Sequence, residues 1–205
     1  LLARHLVGLE RPDEGRILLD GRDLATCLDE VRRRIGFVFQ EPEHQILGLT
    51  VAEDLAWTPR RRGLAPGRVA ELADSALRRV GLEGREQELT AWLSGGEKRR
   101  LAVASVLAAE PELIILDEPF NDLDWPGVKA LLAIMLDLLA SGIGLLVITH
   151  DLEKCLAHAD RLVILEAGGL LADGPARELW PRLAELGLRR PGPLTGSFEG
   201  MSWLV

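Results

Sequence analysis

The sequence predicts an α/β fold with an inserted helical lobe, and three observations support this. An aliphatic run at 113–116 leads directly into Asp117 and Glu118, which is typical of a strand buried on both faces of a parallel sheet. Segments with strand and helix patterns alternate on either side of a central stretch. Within that stretch, residues 41–110, only helical patterns occur. This indicates helices inserted between strands of one sheet.

The N-terminal part is expected to alternate helix and strand. The helical spacing of LLARHLVGL is followed by turn residues in RPDEG. A short strand then leads to a turn at Asp20 and Gly21, after which the chain departs into the next element. A helix over 29–34 and a strand in RIGFVFQ follow. This strand segment ends in the polar residue Gln40.

The sequence predicts helices in the lobe and a return to alternating strands and helices after it. In TVAEDLAW, Thr50 can cap a helix and Glu53 can complete a capping box. GRVAELADSALRRVGL and GGEKRRLAVASVLAAE predict two more helices. Strands return at 113–116 and in GLLVITHD, with the helix WPGVKALLAIMLDLLASG between them. ADRLVILEAGGLLADG predicts a closing hairpin around Gly168 and Gly169.

Composition narrows the function classes. The net charge of −8 argues against a protein whose main task is to hold nucleic acid by its phosphates. The two cysteines are far apart and lack metal or redox spacing, which suits a reducing cytosol. No apolar run reaches the roughly 18–20 residues that a membrane span needs. We therefore expect a soluble protein of the cytosol.

The acids after the buried strand suggest nucleotide chemistry. Ligands of open α/β sheets bind outside the carboxyl ends of the strands, where Asp117 and Glu118 are expected to lie. Asp117 could hold Mg²⁺, and Glu118 could polarise a water molecule that attacks a γ-phosphate. Adjacent acids at a strand end also occur without such a role, so this pattern needs a second motif.

LSGGE, at residues 93–97, is that second motif. The glycines Gly95 and Gly96 after Ser94 leave backbone N–H groups uncovered at the start of a helix, which favours an anion. The alternative is an ordinary serine-capped helix whose basic residues at 98–100 form a solvated face.

Together the motifs resemble those of the ATP-binding subunits of ABC transporters. LSGGE resembles the signature motif and LIILDEP the Walker B motif, followed by the D-loop aspartate Asp124 and by VITHD with a switch histidine, His150. GFVFQ supplies the Q-loop glutamine, Gln40. The resemblance covers about residues 1–174. The stretch VFQEPEHQILGLTVAEDLAWTPRRRGL is similar to the energy-coupling-factor and cobalt/nickel subgroup.

The resemblance implies a P-loop NTPase (RecA-like) α/β core formed by residues 1–40 and 111–175. Residues 41–110 would be the inserted helical subdomain and residues 176–205 a C-terminal extension. The sequence lacks the phosphate loop G-x-x-x-x-G-K-[ST]. LLARHLVGL resembles the helix that follows this loop, so we expect an N-terminally truncated core whose phosphate loop lies upstream.

The resemblance also implies roles for individual residues. Glu118 and His150 would be catalytic. Asp117 and Gln40 would hold Mg²⁺. The residues expected to contact ATP are Gln40, Ser94, Gly95, Gly96, Glu97 and Asp124.

The function implied is ATP hydrolysis that powers uptake of a metal ion or vitamin at the cytoplasmic face of the cell membrane. The partners would be a second ABC ATPase subunit, in a homo- or heterodimer, and an integral membrane transport subunit, with no nucleic acid. Two alternatives stay open. One is a non-transport ABC-type ATPase, and the other is a non-catalytic structural cassette, should the native protein itself lack the phosphate loop.

Overall fold

The computed structural model describes residues 2–192 and 198–204. The helices are Leu2–Leu6 (α1), Leu28–Arg34 (α2), Val51–Arg61 (α3), Pro66–Val80 (α4), Gly95–Leu107 (α5), Trp125–Ala140 (α6) and Ala176–Leu179 (α7). The strands are Leu18–Leu19 (β1), Arg22–Asp23 (β2), Ile35–Val38 (β3), Leu113–Asp117 (β4), Gly144–Ile148 (β5), Arg161–Glu166 (β6) and Gly169–Pro175 (β7). The chain forms two compact units, one up to Thr149 and one from His150 onward.

The first unit contains a parallel sheet with the strand order β3-β4-β5. The middle strand, β4, is the aliphatic run that ends in the acid pair, and its residues at 114–116 are at most 1% exposed. The expectation of a strand buried on both faces is confirmed. In the register, Leu116 pairs with Val38 on one side and Asp117 pairs with Ile148 on the other. The carboxyl ends of all three strands therefore meet at one edge.

A short hairpin precedes this sheet. Asp20 and Gly21 have φ angles of +50° and +79°, so the turn lies where the sequence placed it. The chain does not simply depart after the turn, because β2 pairs antiparallel with β1. Each of these strands is only two residues long, too short for alternation of apolar and polar residues to be visible in the sequence.

Helices fill the lobe as predicted. α3 begins at the predicted capping box, in which Thr50 and Glu53 bond each other's backbone N–H groups. α5 packs against α3, α4 and β3, and its residues at 101–104 are at most 1% exposed. Gly36 permits the close approach of β3 to α5, since a Cβ atom there would lie 2.1 Å from Val106 Cγ1. The boundaries proposed for core, lobe and extension stay a prediction.

The second unit is built on the predicted hairpin of β6 and β7. Its turn uses Ala167 and Gly168, whose φ angles are +47° and +81°. One face of the hairpin packs in a cluster with residues before and after it in the chain, including Leu156, Leu183 and Met201. Among the residues described, no helix is long and apolar enough to cross a membrane.

Candidate functional site

Four polar side chains follow the ends of the three parallel strands. Gln40 lies two residues after β3, Asp117 is the last residue of β4 and Glu118 follows it, and Thr149 follows β5. The Glu118 N–H donates to the carbonyl oxygen of Ile148 over 2.8 Å, so β4 and β5 stay joined one residue beyond the strand end. The sheet register thus brings together groups that are up to 109 positions apart in the sequence.

Glu118 is held in an unusual conformation. Its φ angle is +45°, a region that residues other than glycine seldom adopt. The Thr149 hydroxyl donates a hydrogen bond to Glu118 Oε2 over 2.9 Å. This hydrogen bond holds one carboxylate oxygen of Glu118 in place. Backbone strain of this kind concentrates at functional sites, which supports the role predicted for Glu118.

Asp117 is suited to bind a metal ion whose other ligands come from a bound molecule. Its side chain is half-buried at the strand end. Within residues 2–192 and 198–204, no cluster of three or more histidine, cysteine or acidic residues could hold a metal by itself. Mg²⁺ commonly takes only one or two carboxylates, with phosphate and water oxygens completing its shell. The donor set at this edge therefore fits Mg²⁺ bound together with a nucleotide, and does not form a closed protein cage.

Gln40 exposes its side chain at the same edge. The backbone near it is fixed by Gln45, which sequence reasoning missed. Gln45 Oε1 accepts from the Phe39 N–H over 3.2 Å, and Gln45 Nε2 donates to the carbonyl oxygen of Ala102 over 3.3 Å. This side chain links the end of β3 to α5. Its position in the glutamine-containing stretch EPEHQ was the available signal.

The start of α5 is a complete capping box. Ser94 Oγ accepts from the Glu97 N–H, and Glu97 Oε2 accepts from both the N–H and the hydroxyl of Ser94, each over 2.8 Å. Glu97 also pairs with Arg85. The bonds from the Ser94 backbone and hydroxyl, followed by that from Arg85, lower the pKa of Glu97 to about 2. The carboxylate expected to contact a nucleotide is thus engaged in fixing the helix start.

The two glycines of this motif leave an open surface. A Cβ atom on Gly95 would have nothing within 4 Å, and one on Gly96 would meet only Leu123 Cδ2 at 3.8 Å. Neither glycine has a positive φ angle. Neither internal packing nor backbone conformation therefore requires glycine at these positions.

Asp124 also has a local role, since its Oδ1 accepts from the Gly127 N–H over 2.9 Å and caps α6. Any contact with a nucleotide stays a prediction for Asp124, as it does for Ser94, Gly95, Gly96 and Glu97. His150 follows Thr149 directly, is exposed and begins the second unit. Its catalytic role likewise stays a prediction.

Arg99 differs most from the sequence expectation. The alternative interpretation of the motif put it on a solvated face, whereas its side chain is only 4% exposed. Its guanidinium donates to the backbone carbonyl oxygens of Phe39 and Gln40, just after β3, and of Asn121, just after β4. The sequence signal was LAVASVLA, which follows Arg100. A helix with apolar residues on every side is buried, and Arg99 lies just before this stretch.

Comparison with known proteins agrees with this architecture. Residues 1–121 match the family described as ABC transporter. The energy-coupling factor transporter ATP-binding protein EcfA2 of Symbiobacterium thermophilum is 40% identical over 189 residues, which are 90% of this chain and 66% of that protein. The cobalt import ATP-binding protein CbiO of Syntrophus aciditrophicus is 40% identical over 174 residues, 84% of this chain and 62% of that protein.

A solved structure gives the same result. CbiO1 of Clostridium perfringens, part of the ABC transporter complex cbiONQ, superposes with a TM-score of 0.80 at 29% identity, covering 92% of this chain and 78% of that one. The fold is therefore that of an ABC-type ATP-binding domain, with a P-loop NTPase core. The chain belongs to the ABC transporter family. It spans 66% and 62% of the two curated relatives named above.

Proposed function

We propose that this chain is the ATP-binding and ATP-hydrolysing part of a subunit that powers an importer of the energy-coupling-factor or cobalt/nickel type, for a metal ion or a vitamin. The observation that carries the proposal is the convergence of Gln40, Asp117, Glu118 and Thr149 at one edge of a parallel sheet. The membership of the chain in the ABC transporter family supports it.

Glu118 is the proposed general base. The hydrogen bond from Thr149 holds one carboxylate oxygen in place. The carboxylate can then accept a proton from a water molecule that attacks the terminal phosphate. His150, the next residue after Thr149, is proposed to contact that phosphate.

Asp117 and Gln40 are proposed to hold Mg²⁺, which when bound neutralises charge on the phosphates. Their positions at the ends of adjacent strands support this role, because both oxygen-bearing side chains belong to the same edge. The cradle for the β- and γ-phosphates would come from a glycine-rich loop elsewhere in the full-length protein.

The start of α5 is proposed to serve the nucleotide of a second ABC ATPase subunit. Gly95 leaves the first turn of the helix uncovered, although neither packing nor conformation inside this chain requires a glycine there. An uncovered helix N-terminus is suited to a phosphate. The second subunit would be a second copy of this chain or a related one.

The lobe is proposed to contact an integral membrane subunit, which would keep the protein at the cytoplasmic face of the membrane. A cavity of about 200 Å³ lies between β3, α3 and α5. Trp57 on its rim is 48% exposed, and Asp54 on its wall is buried. An exposed tryptophan beside a cavity suits a docked protein segment, because aromatic side chains are enriched at protein interfaces.

The test is ATP hydrolysis by the full-length protein. Glu118→Gln removes the base and keeps the shape, so turnover should fall by about 10² to 10⁴ while ATP binding is retained. Glu112→Gln is the matched control, because Glu112 lies just before the opposite end of the same strand. Wild-type turnover in Glu118→Gln would overturn the assignment, and an inactive wild type in the assembled transporter would favour the structural cassette.

A further inference from the structure

We propose that Arg99 is a positioning residue for hydrolysis, which sets the backbone of the Gln40 loop and of the turn after Glu118 relative to α5. This inference rests on the proposed function and assigns a task to a residue outside the proposed nucleotide and metal contacts. The guanidinium lies on the second turn of the helix that begins at Gly95.

The contacts of Arg99 join three separate segments. Nη1 donates to the carbonyl oxygens of Phe39 over 3.1 Å and Gln40 over 2.5 Å. Nη2 donates to the carbonyl oxygen of Asn121 over 3.3 Å. Asn121 in turn donates its N–H to the carbonyl oxygen of Glu118, also over 3.3 Å. One planar fork therefore fixes the peptide of the predicted Q-loop glutamine and the turn that follows the proposed base.

The burial of Arg99 indicates that these contacts matter. A charged side chain that is 4% exposed incurs a large desolvation cost, and Nε is buried without a hydrogen-bond partner. Burial lowers the pKa of Arg99, which the nearby carboxylates of Asp122 and Glu43 oppose. Arginine nevertheless remains charged at neutral pH. An apolar residue would fill the space at lower cost, and it would leave the backbone carbonyls at 39, 40 and 121 without this donor.

The geometry also explains why arginine is needed at this position. Its fork presents donors in fixed directions and can serve two chain segments at once, whereas lysine presents a single ammonium group. Lysine could reach the carbonyls near Gln40 or the one at Asn121, but could not hold both in the same arrangement. The spacing of the two segments would then loosen.

The experiment uses the full-length protein and compares Arg99→Met and Arg99→Lys with Arg62→Met. Arg62 is the matched control, because its guanidinium also donates to backbone carbonyls of two segments, at Ala109 and Arg33, away from the strand edge. Arg99→Met should lower kcat per folded molecule by about 10- to 100-fold, with little change in ATP affinity. Arg99→Lys should be intermediate. Arg62→Met should lower the unfolding temperature and leave kcat unchanged.

A double-mutant cycle with Gln40→Ala separates positioning from a merely structural role. If Arg99 acts through Gln40, adding Arg99→Met to Gln40→Ala should cost far less than Arg99→Met costs alone. Full additivity, or wild-type kcat in Arg99→Lys, would overturn the inference. The lysine variant retains the charge, so it decides the question even where Arg99→Met does not fold. An inactive wild type would remove the proposed function and this inference with it, whereas an active wild type with unaltered Arg99 variants removes the inference alone.

Discussion

The strand edge and the start of α5 bear the two strongest motifs of this chain and are built in opposite ways. At the strand edge, Gln40, Glu118 and Thr149 come from distant parts of the sequence and meet through strand register. At the helix start, Ser94 and Glu97 are near neighbours and fix each other through a capping box. The first site depends on tertiary structure, and the second is almost entirely local.

This difference matches the chemistry proposed for each site. A base must be held rigidly relative to the reacting groups, and a parallel sheet provides that rigidity. A surface that receives a phosphate from another subunit needs an open approach, which Gly95 provides. The strand edge is therefore sensitive to small losses of a hydrogen bond. At the helix start, the loss of one capping bond should have little effect on hydrolysis. A side chain that blocks the approach of the partner's phosphate should abolish it.

Obstruction of the helix start is expected to have the largest effect. In Gly95→Asp, a carboxylate would lie where the partner's phosphate approaches, and like-charge contacts at interfaces cost several kcal/mol, so hydrolysis should fall by about 100-fold or more. ATP binding to the isolated full-length protein should survive. ATP-driven dimerisation, measured by light scattering in the Glu118→Gln background, should be lost.

Gly67→Asp is the control for this change. Gly67 also lies in the first turn of a lobe helix, α4, and a Cβ atom there would likewise have nothing within 4 Å. Because neither site is crowded, both variants should unfold at temperatures close to that of the wild type. Dimerisation of Gly95→Asp on addition of ATP would show that the motif is only a capped helix.

Loss of one hydrogen bond at the strand edge should have a smaller effect. Thr149→Val keeps the shape of the side chain and removes the donor to Glu118 Oε2. Hydrogen bonds to charged groups contribute about 1.5–3 kcal/mol, so kcat of the full-length protein should fall by about 10-fold or somewhat more. Thr149→Ser retains the hydroxyl and should remain close to wild type. Equal kcat for the valine and serine variants would show that the bond does not orient the base.

The smallest effect is expected for the capping box itself. Glu97→Gln keeps an acceptor for the Ser94 N–H and removes the negative charge that this bond and the Arg85 pair depend on. The free energy of unfolding should therefore fall by about 1 kcal/mol near neutral pH, the difference between a charged and a neutral hydrogen bond. The pKa of Glu97 is about 2 in the folded protein, below the value of about 4.3 for an unfolded glutamate. Its stabilisation is therefore complete above about pH 4.3 and is lost as the pH falls through about 2.

Urea unfolding at a series of pH values measures this dependence. The difference in stability between the wild type and Glu97→Gln should be constant above about pH 4.3 and shrink below it. Glu83→Gln, which changes an exposed glutamate of the same lobe, is measured alongside as the control. A wild-type-to-Glu97→Gln difference that grows as the pH falls would contradict the assignment.

Much of the fold was predictable because its signals are local. The buried strand of 113–116, the capping box of Thr50 and Glu53, and the turns at Asp20 and Gly168 all follow from a few adjacent residues. The site residues were predictable as motif members for the same reason. The short strand β2 was missed, since two residues carry no periodic pattern.

The sequence by itself thus determined the elements, the acid pair and the open helix start, because backbone propensity, capping and glycine act over a few residues. Only the tertiary structure decided that Thr149 holds Glu118, that Gln45 links β3 to α5, and that Arg99 is buried. These contacts join segments that are between 6 and 60 positions apart. Their physical cause is the packing of strand ends against a buried helix, which brings together groups that no local pattern relates.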